Sequence, residues 1–225
     1  MNFFGYKSQF TQVIALSVSG ILLLAISFTL LEPTISLAQT SIFTIRQQVT
    51  AELSFTVPAA NVTMVGALAG ITGGNATGTT YAVVLTNNTN GYAMDIAFSG
   101  TPAMRGEVTN STSIVNYGST TEPAFVFVPS TSAVFAYTVN ASTTADLDQS
   151  FKNNGVACNA GAAFTANTCW MAPSTTNFRI ISRSSAATTT ATTTIQFRVN
   201  IPNNPVPAVN SDFYTATATL TLVAL

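Results

Sequence analysis

The chain contains no histidine, and that absence removes the commonest general base, the Ser-His-Asp triad and most zinc sites together. Charge is scarce as well. Seven Lys plus Arg and eight Asp plus Glu make charged residues 7% of the sequence, against ~25% in an ordinary globular chain. With a net charge of -1 there is no basic stripe to neutralise phosphates, so nucleic acid is not an expected partner. The carboxylates are scattered, and no spacing among them suggests a hydrolytic pair. Neither an enzyme nor a cofactor is expected. Thr, Ser and Asn fill the positions that charges usually occupy, so solubility rests on hydroxyls and amides.

What remains is apolar enough to fold. The hydrophobic fraction is 47%, with 15 Phe and six Tyr, which argues against general disorder and, for 225 residues, for one domain with a single core. Residues 1–38 read as a targeting segment: Val13 to Leu31 is uncharged, and Lys7 is the only charge before it. Ser36-Leu37-Ala38 places small residues where a signal peptidase reads, with cleavage before Gln39. The alternative is an uncleaved anchor, because the run approaches the ~20 residues that span a bilayer. Lys7 then stays cytoplasmic. Membrane contact is expected only through residues 13–31. A third reading, a prepilin-like leader ending at Gly5, meets Phe10 where type IV pilins carry a glutamate.

Beyond Ala38 the dominant period is two, the signature of strands with one face on a core. Val49, Ala51, Leu53, Phe55 and Val57 alternate with Thr50, Glu52, Ser54 and Thr56. Around TNNTNG (86–91), Tyr81, Val83 and Leu85 precede and Tyr92, Met94, Ile96 and Phe98 follow. That pattern predicts a hairpin, since Asn90-Gly91 supplies the positive φ angles of a tight turn. The strongest pair is C-terminal: Ile195, Phe197, Val199 and Ile201, then Tyr214, Ala216, Ala218, Leu220 and Leu222. The three prolines between them (PNNPVPAVNSD, 202–212) mark a loop. Shorter strands are expected at Ala124–Val128, Val134–Val139 and Phe178–Ser182. The predicted fold is all-β, an antiparallel β-sandwich (immunoglobulin-like or jelly-roll-like) over residues 39–225, preceded by an N-terminal hydrophobic helix. Residues 101–192 elaborate the same core.

Five features invite a chemical reading. Asp146 and Asp148, with Ser150, Asn153 and Asn154, are the densest oxygen cluster, a weak calcium candidate set against an ordinary solvated turn. Phe151 and Ala157 stand where an EF-hand requires Gly and Glu. Cys158 and Cys169, the only cysteines, bracket a Gly- and Ala-rich stretch and predict a disulfide clasp on a surface loop. Trp170, the sole tryptophan, either packs over that clasp as core or offers an aromatic face to a ligand. Sequons at Asn61, Asn75, Asn87, Asn110 and Asn140 arise readily in a chain so rich in Asn and Thr, and the Thr run 188–194 reads as a strand edge or an O-glycan site.

The export segment, TNNTNGYAMDI (86–96) and PVPAVNSDFYTATATLTL (205–222) together resemble bacterial exported surface proteins with WxL-like or fimbrial (pilin-like) β-sandwich domains. True WxL domains carry Trp-x-Leu motifs and attach to peptidoglycan. Here Ala218-Thr219-Leu220 and Trp170-Met171-Ala172 stand instead, so wall binding is not carried over. Two functions are compatible with the sequence. One is a structural subunit of a pilus, fibre or surface layer, self-associating or joined to a cell-envelope component. Its candidate strand-donating segment is Ile42, Phe43, Ile45, Val49, Leu53, Phe55 and Val57, far longer than an average strand. The other is a monomeric adhesin or carbohydrate-binding module whose loops, including the clasp, touch the ligand.

Overall fold

The computed structural model describes residues 14–24, 39–108 and 112–225. The chain divides into two compact units, Met1–Gln48 and Val49–Leu225, so the β-rich unit starts at Val49, ten positions after the predicted cleavage point at Gln39. In the first unit, residues 14–24 are helical and residues 39–48 are exposed and outside any strand. Among the described residues no helix is long and apolar enough to cross a membrane. Lys7, Phe10, residues 25–31, the Ser36–Ala38 cleavage signal and the Asn110 sequon lie outside the described residues.

The second unit is β-structured: β1 (Leu53–Val57), β2 (Leu68–Ala69), β3 (Gly73–Thr86), β4 (Tyr92–Phe98), β5 (Met104–Gly106), β6 (Ser113–Asn116), β7 (Val134–Ala141), β8 (Phe178–Arg183), β9 (Ala187–Ile201), β10 (Tyr214–Thr215) and β11 (Ala218–Ala224). Eight strands form one sheet in the order β1-β3-β9-β7-β6-β5-β10, with β2 paired to β3, and three form a second in the order β11-β4-β8. Every pairing is antiparallel except β6 with β7, which is parallel. Two 3₁₀ turns, Thr144–Asp146 and Gln149–Phe151, sit between β7 and β8.

One apolar core takes side chains from both sheets. Met94, Ile96 and Phe98 of β4 and Ile180 and Ile181 of β8 join Val84, Phe135, Tyr137, Val139, Ile195 and Val199 from the larger sheet. Strand β7 is buried on both faces because a second, smaller cluster of Tyr117, Phe127 and Trp170 covers Val134 and Ala136 from the other side. Burial of this kind contributes about 1.5–3 kcal/mol for each large apolar side chain.

Pairing, however, departs from the sequence expectation in several places. Residues 86–91 are not the turn of a hairpin: β3 pairs with β1, β2 and β9, whereas β4 pairs with β11 and β8, so the segment carries the chain from one sheet to the other. The inward face of β3 is Ala82, Val84 and Thr86, and Tyr81 is 55% exposed. The core facing β3 is already crowded with aromatics, and only small or β-branched side chains fit there. The C-terminal run likewise divides, Tyr214–Thr215 pairing with β5 in the larger sheet and Ala218–Ala224 with β4 in the smaller, so β9 and β11 are not partners. Ala124–Val128 forms no strand beyond a bridge from Ala124 to Trp170.

Gly91 holds the inter-sheet passage. Its φ is +82°, its N–H donates to the Asn88 carbonyl at 3.0 Å, and a Cβ there would run into the Arg183 carbonyl. Gly91→Ala is expected to lower stability by about 1–3 kcal/mol, the usual cost of left-handed strain in a residue with a Cβ, read as a lower urea midpoint with an unchanged m-value.

Candidate functional site

Of the places singled out by sequence, the strand-donating segment, the clasp with Trp170 and the oxygen cluster are treated differently by the geometry. In the strand-donating segment, Leu53, Phe55 and Val57 are β1 and already pair with Thr86, Val84 and Val83 of β3. They are therefore spent within the chain and are not available to a neighbour. Ile42, Phe43, Ile45 and Val49 lie outside any strand and are 96%, 77%, 85% and 81% exposed. Four large apolar side chains so close in sequence and so fully in water form a concentrated apolar stretch.

Side-chain amides fix the place where this segment joins the β unit. Asn87 Oδ1 accepts from the Glu52 N–H (2.6 Å) and Asn87 Nδ2 donates to the Thr50 carbonyl (3.0 Å). Thr86 Oγ1 donates to the Glu52 carbonyl at 2.6 Å. Next door, Asn88 Nδ2 donates to the carbonyls of Gly91 and Leu225, both at 2.9 Å. The motif Thr86-Asn87-Asn88 thus pins the start of β1 and the end of β11 at one end of the unit. Short polar side chains suit this role because they satisfy the backbone without a charge.

The clasp is a packed loop. Cys158 and Cys169 are joined in a disulfide with Cα atoms 5.6 Å apart, a covalent link that fits an oxidising, extracellular compartment. Beneath it Asn153 is fully buried, its Oδ1 accepting from the Gly155 N–H and from Thr165 Oγ1, both at 3.1 Å. Trp170 is 1% exposed. Its indole N–H donates to the Asn167 carbonyl at 3.0 Å, Phe127 meets its ring edge-on at 5.7 Å, and the Arg198 guanidinium lies 4.1 Å from the Phe127 ring centroid. Trp170 is therefore core, not a ligand platform, because its ring fills the space over β7.

The oxygen cluster is also spoken for. Asp146 is ion-paired with Arg183 at 2.6 Å, and Asp148 Oδ1 accepts from the Ser150 N–H and hydroxyl at 3.0 and 2.7 Å, capping the second 3₁₀ turn. Both carboxylates are thus engaged within their own chain, and among the described residues no three His, Cys, Asp or Glu side chains gather.

One feature escaped the sequence reading. A groove of about 220 Å³ on the outer face of β3, β9 and β7 is lined by Thr79, Gln196, Thr138 and Asn140 and walled by Phe164 and Asn167 of the clasp loop. Cross-strand register brings the first three together, since Thr79 lies opposite Gln196 and Gln196 opposite Thr138. The lining carries no charge, so it suits hydrogen bonding to a neutral polar group.

Two buried phenols respond to this environment. Desolvation, reinforced by Asp146 and opposed by Arg183, pushes the Tyr92 hydroxyl from 10.0 up to about 12, and burial raises Tyr137 as well. A raised folded-state value leaves stability intact below the unfolded value of 10 and removes it as pH climbs through the folded one. The urea midpoint is expected to fall between pH 10 and pH 12, and less steeply in Tyr92→Phe. Reducing the clasp, or replacing it with the pair Cys158→Ser and Cys169→Ser, is expected to cost roughly 2.5–3 kcal/mol by loop-closure entropy. Unfolding can be followed by the red shift of Trp170 emission. No protein-family model, curated protein or solved structure matches this chain.

Proposed function

We propose that the chain is an exported cell-surface structural protein, a subunit of a pilus, fibre or surface layer that assembles through β-strand pairing. In this reading its two sheets pack as a β-sandwich, and the N-terminal segment carries it out of the cell. The observation that supports it is the run Ile42–Val49, whose four large apolar side chains Ile42, Phe43, Ile45 and Val49 are exposed and free of any strand of their own. Such a run is costly in water, and adding a strand to a sheet edge is an established way to cover one, with backbone bonds giving affinity and alternate side chains giving register. The WxL-like and fimbrial resemblance agrees with this reading, as does a disulfide on a loop.

A second reading, a monomeric adhesin or carbohydrate-binding module, is favoured by the uncharged groove beside Phe164. It requires a monomer where the first requires assembly, so one measurement separates them.

That measurement is light scattering after size exclusion, with negative-stain microscopy, on the protein from its native envelope and on a variant lacking residues 39–49. The full chain is expected to assemble and the deletion to remain folded, with buried-type Trp170 emission, but monomeric. A deletion variant as oligomeric as the parent would sink the assembly reading.

A further inference from the structure

We infer that the surface receiving this segment is the free edge of β11 on a second copy of the chain. The inference rests on the assembly reading above and names the partner for its exposed segment.

The hydrogen-bond pattern identifies which backbone groups of β11 lack partners. Ser99 N–H donates to the Thr217 carbonyl at 3.0 Å and Leu225 N–H to the Gly91 carbonyl at 3.3 Å. Between these bonds the register with β4 is unbroken from Ala218 opposite Phe98 to Ala224 opposite Tyr92. Bonded and non-bonded residues alternate in an antiparallel ladder. Thr219, Thr221 and Val223 therefore bond β4, while Ala218, Leu220, Leu222 and Ala224 turn their N–H and C=O groups toward the open side, where β11 has no neighbouring strand.

Among the described residues no strand pairs with that side, although β1 lies near it. Proteins usually blunt an edge with Lys, Pro, a bulge or a covering loop, and β11 (ATLTLVA) has none of these devices. The opposite edge of the same sheet is covered, since the Asp148 N–H donates to the Ile180 carbonyl at 3.0 Å and Leu147 bridges Ile181. Burial fades toward the open edge too. Met94 and Ile96 are 0% and 1% exposed, but Leu222 and Leu220, opposite them in register, are only half-buried. A further strand laid against β11 would finish covering them.

The segment matches this edge. Phe43, Ile45 and Val49 share one face by the period of two, and Arg46, the only charge from residue 41 to 50, falls on the other, where it stays in water. Ten extended residues reach roughly 33 Å, more than the roughly 23 Å of a seven-residue strand. Phe43 alone carries about 150–250 Å² of surface, and Ile45 and Val49 move the total toward the roughly 800 Å² per partner of a stable interface. The occupant comes from another copy because residues 42–53 contain no Gly, Pro, Asn, Asp or Ser, the residues that favour a turn back onto the same β11.

The test uses full-length chains. Thr44→Cys and Thr221→Cys variants, mixed before assembly and treated with a flexible bis-maleimide, are expected to give a dimer cross-linked between positions 44 and 221. A Thr44→Cys and Thr188→Cys mixture should give at least tenfold less. In parallel, Ala218→Pro with Ala224→Pro removes two edge-facing N–H groups without breaking the ladder to β4, and should lower the assembled fraction at least tenfold. Assembly abolished by deleting residues 39–49, yet unaffected by the prolines and giving no 44–221 cross-link, would overturn the β11 assignment while sparing the assembly reading. Assembly that survives the deletion overturns both. A cross-link found only within single chains carrying both cysteines would place the segment on its own β11 and also overturn the inference.

Discussion

Strand β9 is bonded on both sides, to β3 from Ala187 to Ile201 and to β7 from Thr193 to Asn200, and the other elements depend on this ladder. Its length lets Ala187, Ala191, Ile195, Val199 and Ile201 line the shared core in one column, against which β4 and β8 lay Met94, Ile96 and Ile181. Its outward face supplies Gln196 and Thr194 to the groove and Arg198 to the aromatic cluster of Phe127 and Trp170. A sequence that is mostly Thr over residues 188–194 suits such a strand. The β-branched side chain favours extended backbone whether it faces water or the core, and Thr193 is in fact buried.

With so few charges, amides and hydroxyls do the work usually given to ion pairs. Among the described residues two ion pairs are formed, Arg179 with Asp95 and Arg183 with Asp146, and the second anchors the 3₁₀ turns against β8. Elsewhere Asn87, Asn88, Thr86 and Asn153 satisfy buried or turning backbone. Such contacts are insensitive to salt and to pH over the ordinary range, because none of these groups titrates there.

The long strands were legible in the sequence, the short ones were not, Ala124–Val128 was read as a strand that does not form, and strand partnership was not legible at all. The alternation around Met94, Ile96 and Phe98, or Ile195, Val199 and Ile201, reports only that one face is buried. It carries no information about which strand lies alongside. Hence Asn90-Gly91 looked like a hairpin turn although Gly91 serves a passage between sheets: a positive φ is needed in either case. Tyr81 misled for a different reason, since a large aromatic in an alternating run normally marks the core face, and here the core face of β3 is that of Ala82, Val84 and Thr86. For Trp170 the sequence left core and ligand face both open, because Phe127, which closes over it, lay in Ala124–Val128, a stretch that reads as a strand and gives no sign of that packing. The groove beside Phe164 needs three strands in register, and no local pattern encodes that.

The exposed segment and the bare edge follow from one compositional choice. Charge is what ordinarily keeps an apolar strand from pairing with the wrong neighbour, and a chain that is only 7% charged has little to spend on such protection. Val49 to Val57 reads as one continuous strand, yet its pairing begins at Leu53, because β3 ends at Thr86 and Asn87 has already turned its amide to cap Thr50 and Glu52. Upstream of that cap the alternation continues with nothing to pair against, and on β11 an open edge continues with nothing to cover it. In a monomer these are two separate liabilities. On the proposed pairing they are complementary halves of one ladder, and the absence of guarding charges becomes the condition that lets the ladder form.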